Sequence, residues 1–443
     1  MKTTKKMIAV LLCLLLGILP MAGCAPVAAV GGAGEERAAA SVAAVNAGNT
    51  HDAPDYNVPD SAAATAAAGA NDFAFRLSAA LVKDAGNSNF VISPYSVWIP
   101  LAALVNATDG RNKPALLKAL NASGISEREI NNAAWRMLYD LTRQRDKGSE
   151  WHRNPLQIAN AVFVDNSETP NKNFAQIFAD YYHGAVMNVD FMSPSAVTAV
   201  NKWANDNTDG LITEIVEEFD RDTVAAIANA IYFSDSWEVE FKAGQTKEGV
   251  FHAPGGDAKA FYMLREGDGL DYYEDDKVQA MPLRFGTGGG MYIILPKNGD
   301  AARLLSSMTS EYFDKIQKEQ APSTGKLLLP RFSLESDVIQ LKDALMALGV
   351  PLFDAAAAPL TGGLIEGDAP VYLSSAVHKA VIEVDEKGAT AAAVTVMVAE
   401  RAMLPLPTKP FQMICDKPFV FILYDNTNDG GRQVLFTGVV NRP

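Results

Sequence analysis

Histidine is the side chain best suited to act as a base near neutral pH, and the chain contains five of them. Most have no neighbour at metal-ligand spacing or lie in poorly structured sequence; these are His51, His152, His183 and His252. His378 differs because it lies in the strand-like run 376–381. A serine and a histidine together suggest hydrolysis, but the sequence has no G-x-S-x-G nucleophile elbow and no evident acidic group to orient an imidazole. The sequence therefore predicts that the chain is not an enzyme.

A second candidate for function is the segment 386–410, where the backbone conformation rather than a reactive side chain is of interest. From Ala389 to Ala399 it carries no charge, and small residues alternate with mostly β-branched ones. This period-two pattern is typical of a strand in a crowded sheet. The flanks, Gly388 on one side and the Pro-containing run 401–407 on the other, are typical of an exposed loop. The segment therefore fits both loop and strand, and an ordinary edge strand also explains the alternation.

Around these residues, short apolar runs alternate with helical patterns. A helical face is predicted to begin at Asn71, a residue type favoured at helix N-caps. Strand-like runs are predicted at residues 160–164, 229–233, 291–296, 327–332 and 434–440. The glycine-rich run 286–290 lacks the Gly-Lys-Ser/Thr ending of a phosphate loop and precedes a strand, so a hairpin turn is predicted there.

The charge and the cysteine content argue against nucleic acid, disulfides and bound metals. The formal net charge is −14 and the isoelectric point is about 4.9, which argues against nucleic acid because phosphate binding needs a surplus of basic residues. The cysteines are Cys13, Cys24 and Cys415, and only Cys415 lies in the main body. We therefore expect no disulfide, no metal site and no cofactor in the mature domain.

The N-terminus has the pattern of an exported protein. Lysines precede the apolar run Met7–Leu19, which is typical of a signal peptide over residues 1–23. Met21-Ala-Gly-Cys24 resembles a bacterial lipobox, so lipid attachment to Cys24 is predicted, with plain secretory cleavage as the alternative. Residues 24–70 are rich in Ala and Gly and are predicted to be a tether. The protein would be lipid-anchored at the outer face of a bacterial membrane, or extracellular.

Several motifs together resemble those of the serpin family. Residues 386–393, Glu-Lys-Gly-Ala-Thr-Ala-Ala-Ala, resemble the hinge of the serpin reactive loop, and Met413–Leu423 resembles the C-terminal signature of the family. Asn89–Ser96 is similar to the N-terminal serpin motif, and Asn229–Phe233, followed by Trp237, is similar to the central strand. The resemblance extends over residues 70 to 443, and the motifs occur in family order.

The resemblance implies an α+β serpin fold for residues 71–443, with about nine helices on three β-sheets and an exposed C-terminal reactive loop at about 386–410. It implies a serine protease inhibitor that acts as a suicide substrate, trapping its target as an acyl-enzyme by inserting the cleaved loop into the central sheet. Loop insertion into a sheet is a known form of strand addition. The alternative is a non-inhibitory serpin that serves as a binding or structural protein at the cell surface.

The resemblance also assigns residues to roles. The hinge would comprise Glu386, Gly388, Ala389, Thr390, Ala391, Ala392 and Ala393. The polar shutter and the open end of the central sheet would comprise Ser93, Ser96, Asn229, His378 and Trp237. Family spacing places the reactive bond at Ala402–Met403, with bonds involving Arg401 or Leu404 as alternatives because the following stretch is longer than usual. The expected partner is an extracellular serine protease, elastase-like first and trypsin- or chymotrypsin-like next, and the expected inhibitor is a monomer.

Overall fold

The computed structural model describes residues 54, 59–108, 110–142, 156–208, 210–220, 223–286, 288–389, 410–426 and 431–443. The signal peptide, Cys24, most of the predicted tether and residues 390–409 lie outside this part of the chain. No helix in the described ranges is both long enough and apolar enough to cross a bilayer.

Nine α-helices occur in the described part of the chain. They are α1 (Asp60–Leu81), α2 (Pro94–Ala103), α3 (Asn112–Ala119), α4 (Glu127–Thr142), α5 (Lys172–Tyr182), α6 (Ser195–Asp206), α7 (Ala301–Ser306), α8 (Ser310–Glu319) and α9 (Lys342–Ala347). Short 3-10 turns lie at Leu104–Ala107, Ala243–Gln245 and Pro351–Phe353.

The strands of the described residues form three sheets. They are β1 (Phe90–Ile92), β2 (Leu156–Asp165), β3 (Gly184–Val189), β4 (Ala225–Phe233), β5 (Asp235–Ser236), β6 (Lys247–Ala253), β7 (Gly256–Glu274), β8 (Val278–Arg284), β9 (Gly290–Pro296), β10 (Ala321–Pro330), β11 (Phe332–Glu335), β12 (Ile339–Gln340), β13 (Ser375–Lys379), β14 (Val381–Val384), β15 (Gly388–Ala389), β16 (Phe411–Ile414), β17 (Phe419–Asn426) and β18 (Arg432–Val440).

The sheet that holds the candidate site has five strands in the order β12-β13-β4-β2-β3. Strand β4 is antiparallel to β2 and parallel to β13. One face packs against α6 through an apolar cluster that includes Phe163, Val200 and Ala228. The other face packs against α2. Since both faces are covered, β4 is apolar along nearly its whole length, as expected for a central strand.

A second sheet of four strands, in the order β11-β14-β15-β5, extends the five-stranded sheet at one end. Strand β14 follows β13 in the chain after a single residue, and β5 follows β4 in the same way. The two neighbours β13 and β4 are therefore in direct contact at one end, whereas their extensions are separated at the other end by β15.

The third sheet has nine strands and carries most of the apolar core. Its path is β1-β18-β17-β9-β8-β7-β10-β16, with β6 paired to β7. The hairpin from β8 to β9 turns through the glycine-rich run, so the predicted hairpin is confirmed. In that turn Gly289 has φ +68°, and a side chain there would lie 2.5 Å from the carbonyl oxygen of Tyr424. Glycine is therefore required by both conformation and space.

The first helix begins at Asp60, so the prediction of a helix start at Asn71, and of a tether reaching residue 70, is wrong. The tether was predicted because large apolar residues are scarce there, but alanine is the strongest helix former. Small residues also allow close packing: Ala66 and Ala70 are fully buried, and a Cβ on Gly69 would lie 2.7 Å from the carbonyl oxygen of Asn121. The helix therefore forms from buried alanines, with Gly69 packed against a neighbouring turn.

Candidate functional site

The strand β15 is the centre of the candidate site. Gly388 pairs with Ser236 of β5, and Ala389 pairs with both Asp235 of β5 and Val384 of β14. All these pairs are antiparallel. Gly388 and the first residue of the uncharged segment, Ala389, therefore form a strand between the extensions of β4 and β13.

Gly388 fits this position because its two neighbours approach closely. A Cβ on Gly388 would lie 2.1 Å from the carbonyl oxygen of Asp235 and 2.8 Å from the Cα of Ser236. Both contacts are with backbone, which cannot rotate away as a side chain can. A side chain at this residue would therefore push the strand out of the sheet.

A tight turn delivers the chain to β15. The Asp385 carboxylate accepts hydrogen bonds from the backbone N–H groups of Lys387 at 2.8 Å and Gly388 at 3.2 Å. The backbone N–H of Asp385 donates to the carbonyl oxygen of Gly388 at 3.1 Å. An aspartate is well suited to this role because its short side chain reaches the backbone two residues ahead.

Glu386 is held inside this turn by two side chains. Its Oε1 accepts hydrogen bonds from Nε and Nη2 of Arg331, at 2.9 and 2.5 Å, and from the hydroxyl of Thr246. Burial alone would raise the pKa of Glu386, but the hydrogen bonds from Arg331 and Thr246 outweigh it and hold the pKa below its ordinary value. The predicted hinge thus begins at an anionic carboxylate that is hydrogen-bonded to the body of the protein.

Trp237 lies at the same end of the sheet and contacts the turn before β15. Its indole Nε1 donates to the carbonyl oxygen of Asp385 at 2.9 Å, and its backbone N–H donates to that of Lys387 at 2.8 Å. The indole stacks on Phe285 with ring centroids 4.8 Å apart. The tryptophan therefore supports the turn through both its side chain and its backbone.

The four shutter residues predicted from the resemblance lie together where β4 meets β13. His378 of β13 lies opposite Asn229 of β4. The backbone N–H of Ser93 donates to Nε2 of His378 at 3.1 Å. Ser93 is also the N-cap of α2, where its hydroxyl accepts from the backbone N–H of Ser96 at 3.4 Å. The Ser96 hydroxyl donates back to the carbonyl oxygen of Ser93 at 2.9 Å.

This cluster is buried and does not form a catalytic triad. His378 is fully buried, and burial lowers its pKa to about 3, so the imidazole is neutral at physiological pH. The Ser93 hydroxyl donates to the carbonyl oxygen of Leu435 at 2.7 Å, so it is directed away from the imidazole. Since Nε2 is occupied by a backbone N–H, it cannot accept a proton from a serine nucleophile in this arrangement.

Comparisons with known proteins show which family the chain resembles over most of its length. The profile of the family described as Serpin (serine protease inhibitor) matches residues 68–443. The chain belongs to the serpin family. Alpha-1-antitrypsin of Sus scrofa is 29% identical over 379 residues, covering 84% of this chain and 86% of that protein. A serpin-like protein of Thermococcus kodakarensis is 30% identical over 380 residues, covering 84% of each chain.

Solved serpin structures share the fold. The native state of tengpin, a thermophilic serpin, has a TM-score of 0.75 at 25% identity. The match covers 91% of this chain and 100% of tengpin. Human thyroxine-binding globulin complexed with its hormone has a TM-score of 0.74 at 21% identity, covering 86% of this chain and 99% of that one. The predicted fold class, an α+β serpin fold with about nine helices on three sheets, is confirmed.

Part of the predicted serpin site lies outside the described residues. This part comprises Thr390, Ala391, Ala392 and Ala393 of the hinge, Arg401, Ala402, Met403 and Leu404 around the reactive bond, and Cys24. The described part, from Glu386 to Ala389, lies at the open end of the central sheet beside Trp237.

Sequence reasoning missed three residues of the site, namely Thr246, Arg331 and Asn160. The first two bind Glu386, and the Oδ1 of Asn160 accepts a hydrogen bond from the side-chain amide of Asn229 at 2.7 Å. Glu386 was predicted as part of the hinge, but its burial, which favours a basic partner, is seen only in the structure. The sequence offered no means of choosing which one.

Proposed function

We propose that this serpin inhibits a serine protease as a suicide substrate, with the cleaved loop inserting between β4 and β13. The observation that carries the proposal is β15, which pairs with a strand on each side. Its pairing is antiparallel on both sides, which is the direction required for the rest of the loop to continue down the sheet. The following residues, up to Ala399, carry no charge that would have to be buried.

Insertion would release enough free energy to drive the trap. About a dozen new ladder residues, each contributing roughly 0.5–1.5 kcal/mol of net hydrogen bonding, give on the order of 10 kcal/mol before apolar burial is counted. This is comparable with the whole stability of a typical domain, about 5–15 kcal/mol. The intact form is therefore metastable, and a kinetic barrier rather than equilibrium maintains it.

The chemistry belongs to the target, which makes the serpin an inhibitor rather than an enzyme. The protease's serine oxygen attacks the carbonyl carbon of Ala402, and the nitrogen of Met403 leaves as an amine after taking a proton. The loop, now bonded to the protease as an ester, inserts and carries the protease roughly 50 Å along the sheet. Tension on the ester displaces its carbonyl oxygen from the oxyanion hole, so water no longer completes the reaction.

The residue before the cleaved bond sets the target. Alanine at 402 fits the small pocket of an elastase-like protease, so the proposed first target is an extracellular enzyme of this class. Cleavage after Arg401 would indicate a trypsin-like target, and cleavage after Met403 an elastase- or chymotrypsin-like one.

A gel experiment tests the inhibitory function. Incubation with elastase is expected to give an adduct that survives SDS, with the mass of the protease added to the cleaved serpin. Elastase whose serine is already blocked is the control and is expected to give neither adduct nor cleavage. Mass spectrometry of the released C-terminal peptide would identify the bond. Complete cleavage without adduct, across elastase-, trypsin- and chymotrypsin-like proteases, would favour the non-inhibitory binding or structural serpin.

We also propose that the inhibitor acts as a monomer held at the outer face of a bacterial membrane by lipid on Cys24. The support is the lipobox-like Met21–Cys24 and the apolar run before it. Labelled palmitate supplied to cells making the full chain is expected to enter wild type but not Cys24→Ser. Equal labelling of the two would contradict the anchor, and the mass of the released domain by light scattering would test the monomer.

A further inference from the structure

A cleft of about 570 Å³ lies on the α6 face of the five-stranded sheet. Part of its lining is the connection between α6 and β4, at residues 216–220 and Thr223. The rest comes from β12, β13, α9 and the residues that flank them. The described lining includes none of the residues assigned to the hinge or the shutter. Its volume lies within the range of about 300–1,000 Å³ that is typical of small-molecule sites.

Part of the lining is apolar and partly aromatic. Val216 and Val377 are 4% and 6% exposed, and both belong to the apolar cluster that packs α6 against the sheet. Phe219 lines the cleft as well and is half-buried. Its ring packs against Phe191 with the centroids 4.8 Å apart. An aromatic ring attracts both an apolar body and a cation above its face.

The charged part of the lining is mostly acidic. Its carboxylates are those of Glu217, Glu218, Asp220 and Asp343. Lys342 is the one basic side chain among the described residues of the lining, so four carboxylates and one ammonium give a formal charge of −3. No ion pair or side-chain hydrogen bond joins the four carboxylates to other described residues. They are therefore available to a cation from solution.

Thr223 adds a buried hydroxyl to the same cleft. The residue is 4% exposed, and its backbone N–H donates to the carbonyl oxygen of Asp220 at 3.0 Å. Its side-chain hydroxyl has no hydrogen-bond partner among the described residues. Buried polar groups in folded proteins are nearly always hydrogen-bonded. A ligand that donates hydrogen bonds would complete both this hydroxyl and the carboxylates.

We propose that this cleft binds a small organic amine, with its ammonium group among the carboxylates and its apolar body on Val216, Phe219 and Val377. An ammonium has three donors and no acceptor, which suits a lining rich in acceptors. The negative charge disfavours an anion. A bare metal ion is also disfavoured, because no group of three His, Cys, Asp or Glu side chains in the described part of the chain is placed to hold one.

Occupancy of the cleft would favour the intact form of the protein, a consequence that rests on the proposed inhibitory function. Residues 216–220 and Thr223 lead into β4, whereas Gln340 and Ser375 belong to β12 and β13. Insertion between β4 and β13 would separate these two parts of the lining. A ligand that contacts both parts binds the intact form more tightly, and it therefore opposes insertion to the same extent.

Calorimetric titration of the intact full chain with tryptamine, an indole that carries an ethylammonium group, tests the site. Tryptophol is the matched ligand, because it has the same ring and linker with a hydroxyl in place of the ammonium. Tryptamine is expected to bind about tenfold more tightly than tryptophol, since charge-assisted hydrogen bonds are stronger than neutral ones. No binding of tryptamine, or equal binding of the two, would overturn the site.

Variants locate the binding. Glu217→Gln combined with Glu218→Gln is expected to weaken tryptamine binding about fivefold. The control combines Glu214→Gln with Glu366→Gln, which removes the same charge from exposed residues outside the cleft, and its affinity is expected to match wild type. An equal loss in the two double variants would show attraction to an acidic surface rather than a site.

Lys342→Met provides a change of opposite sign. It removes the basic side chain of the described lining, so tryptamine is expected to bind about threefold more tightly. Unchanged or weaker binding would contradict an ammonium site at this position.

Titration of loop-cleaved protein separates the site from its coupling to insertion. Cleaved wild type is expected to bind tryptamine about tenfold more weakly than intact wild type. Equal affinities would overturn the coupling, whereas the titrations of the intact chain decide the site by themselves. If cleaved protein melts no higher than intact protein, insertion does not occur and the proposed function fails, whatever the affinity of the intact chain for the amine.

Discussion

Glu386 and Arg331 are 55 positions apart in the sequence and are joined by two hydrogen bonds from one guanidinium to one carboxylate oxygen. The carboxylate side chain is 8% exposed and the guanidinium side chain 47% exposed. The pair therefore joins the predicted hinge to the residue that follows β10, with the carboxylate buried and the guanidinium accessible to water.

Arg331→Met is expected to destabilise the intact protein by about 1–2 kcal/mol, because Glu386 remains buried with Thr246 as its remaining side-chain partner. Calorimetry of the uncleaved chain measures this. Lys259→Met is a matched control, since it breaks an ion pair with Glu248 in which both side chains are exposed, and its expected effect is within about 0.5 kcal/mol. Similar losses in the two variants would show that the hinge pair has no special role.

Gly388→Ala is expected to displace β15 and to delay loop insertion, because the added Cβ collides with the backbone of Asp235. Overpacking of this kind costs about 1–3 kcal/mol. With a target protease, a larger fraction of the variant is expected to be cleaved without forming an adduct, as measured by densitometry of an SDS gel. Gly244→Ala is the control, because a Cβ there meets nothing within 4 Å. An unchanged adduct fraction in Gly388→Ala would contradict early insertion at this residue.

The fold was predicted from motifs that resemble those of the serpin family, whereas local signals predicted single helices, strands and turns. Ser93 followed by Pro94 favours a helix start, since serine caps helices and proline suits the first turn. The start of α1 was missed because its small residues are buried by distant parts of the chain: Ala66 and Ala70 are fully buried, and Gly69 lies against the backbone of Asn121. Local composition cannot reveal such a partner.

The candidate site was predictable only in part, for the same reason. The residues assigned to a shutter were predicted from their motifs, and the structure places them together. Arg331 was not found, because many cations could neutralise Glu386, and only the three-dimensional path of β10 brings this one within reach. The sequence also could not show that Oδ1 of Asn229 and Nδ1 of His378 are buried without a hydrogen-bond partner among the described residues, because this depends on the positions of the neighbouring donors and acceptors.

His378 is expected to make the intact protein less stable as the pH falls. The unfolded chain binds a proton at this side chain near pH 6.5, whereas the folded chain does so near pH 3. The contribution of the neutral imidazole to the free energy of unfolding is therefore fully present above pH 6.5. It is lost between pH 6.5 and 3 at about 1.4 kcal/mol per pH unit.

Urea unfolding of the intact chain at pH 7.5, 6.0 and 5.0 checks this expectation. His378→Gln is expected to show a shallower loss of stability with acid than wild type, whatever its absolute stability. His252→Gln is the control; its imidazole is on the surface beside Asp257, which raises its pKa, so it does not contribute to the loss at acid pH. Parallel curves for wild type and His378→Gln would show that the buried imidazole does not govern acid sensitivity.

A charge on the inserting face of the loop is expected to convert the inhibitor into a substrate. In the register of β15, Ala391 comes to lie between Phe233 and Ile382, which are both buried. Ala391→Glu would place an unpaired carboxylate there, at a cost of several kcal/mol that offsets much of the gain from insertion. Deacylation then overtakes insertion, so cleaved serpin and free protease are expected to replace the adduct.

Ala393→Arg tests the same face two positions further along and is expected to behave in the same way. Extending the register of β15 places Ala393 between Ile231 and Ala380, which are also buried. Thr408→Glu is the matched control, since it adds a charge beyond the proposed reactive bond and outside the inserting strand. Its adduct yield on an SDS gel is expected to equal that of wild type. If both alanine variants trap protease as well as this control does, the protease is not held by insertion of this segment, because a strand with an unpaired buried charge would not enter the sheet at the same rate.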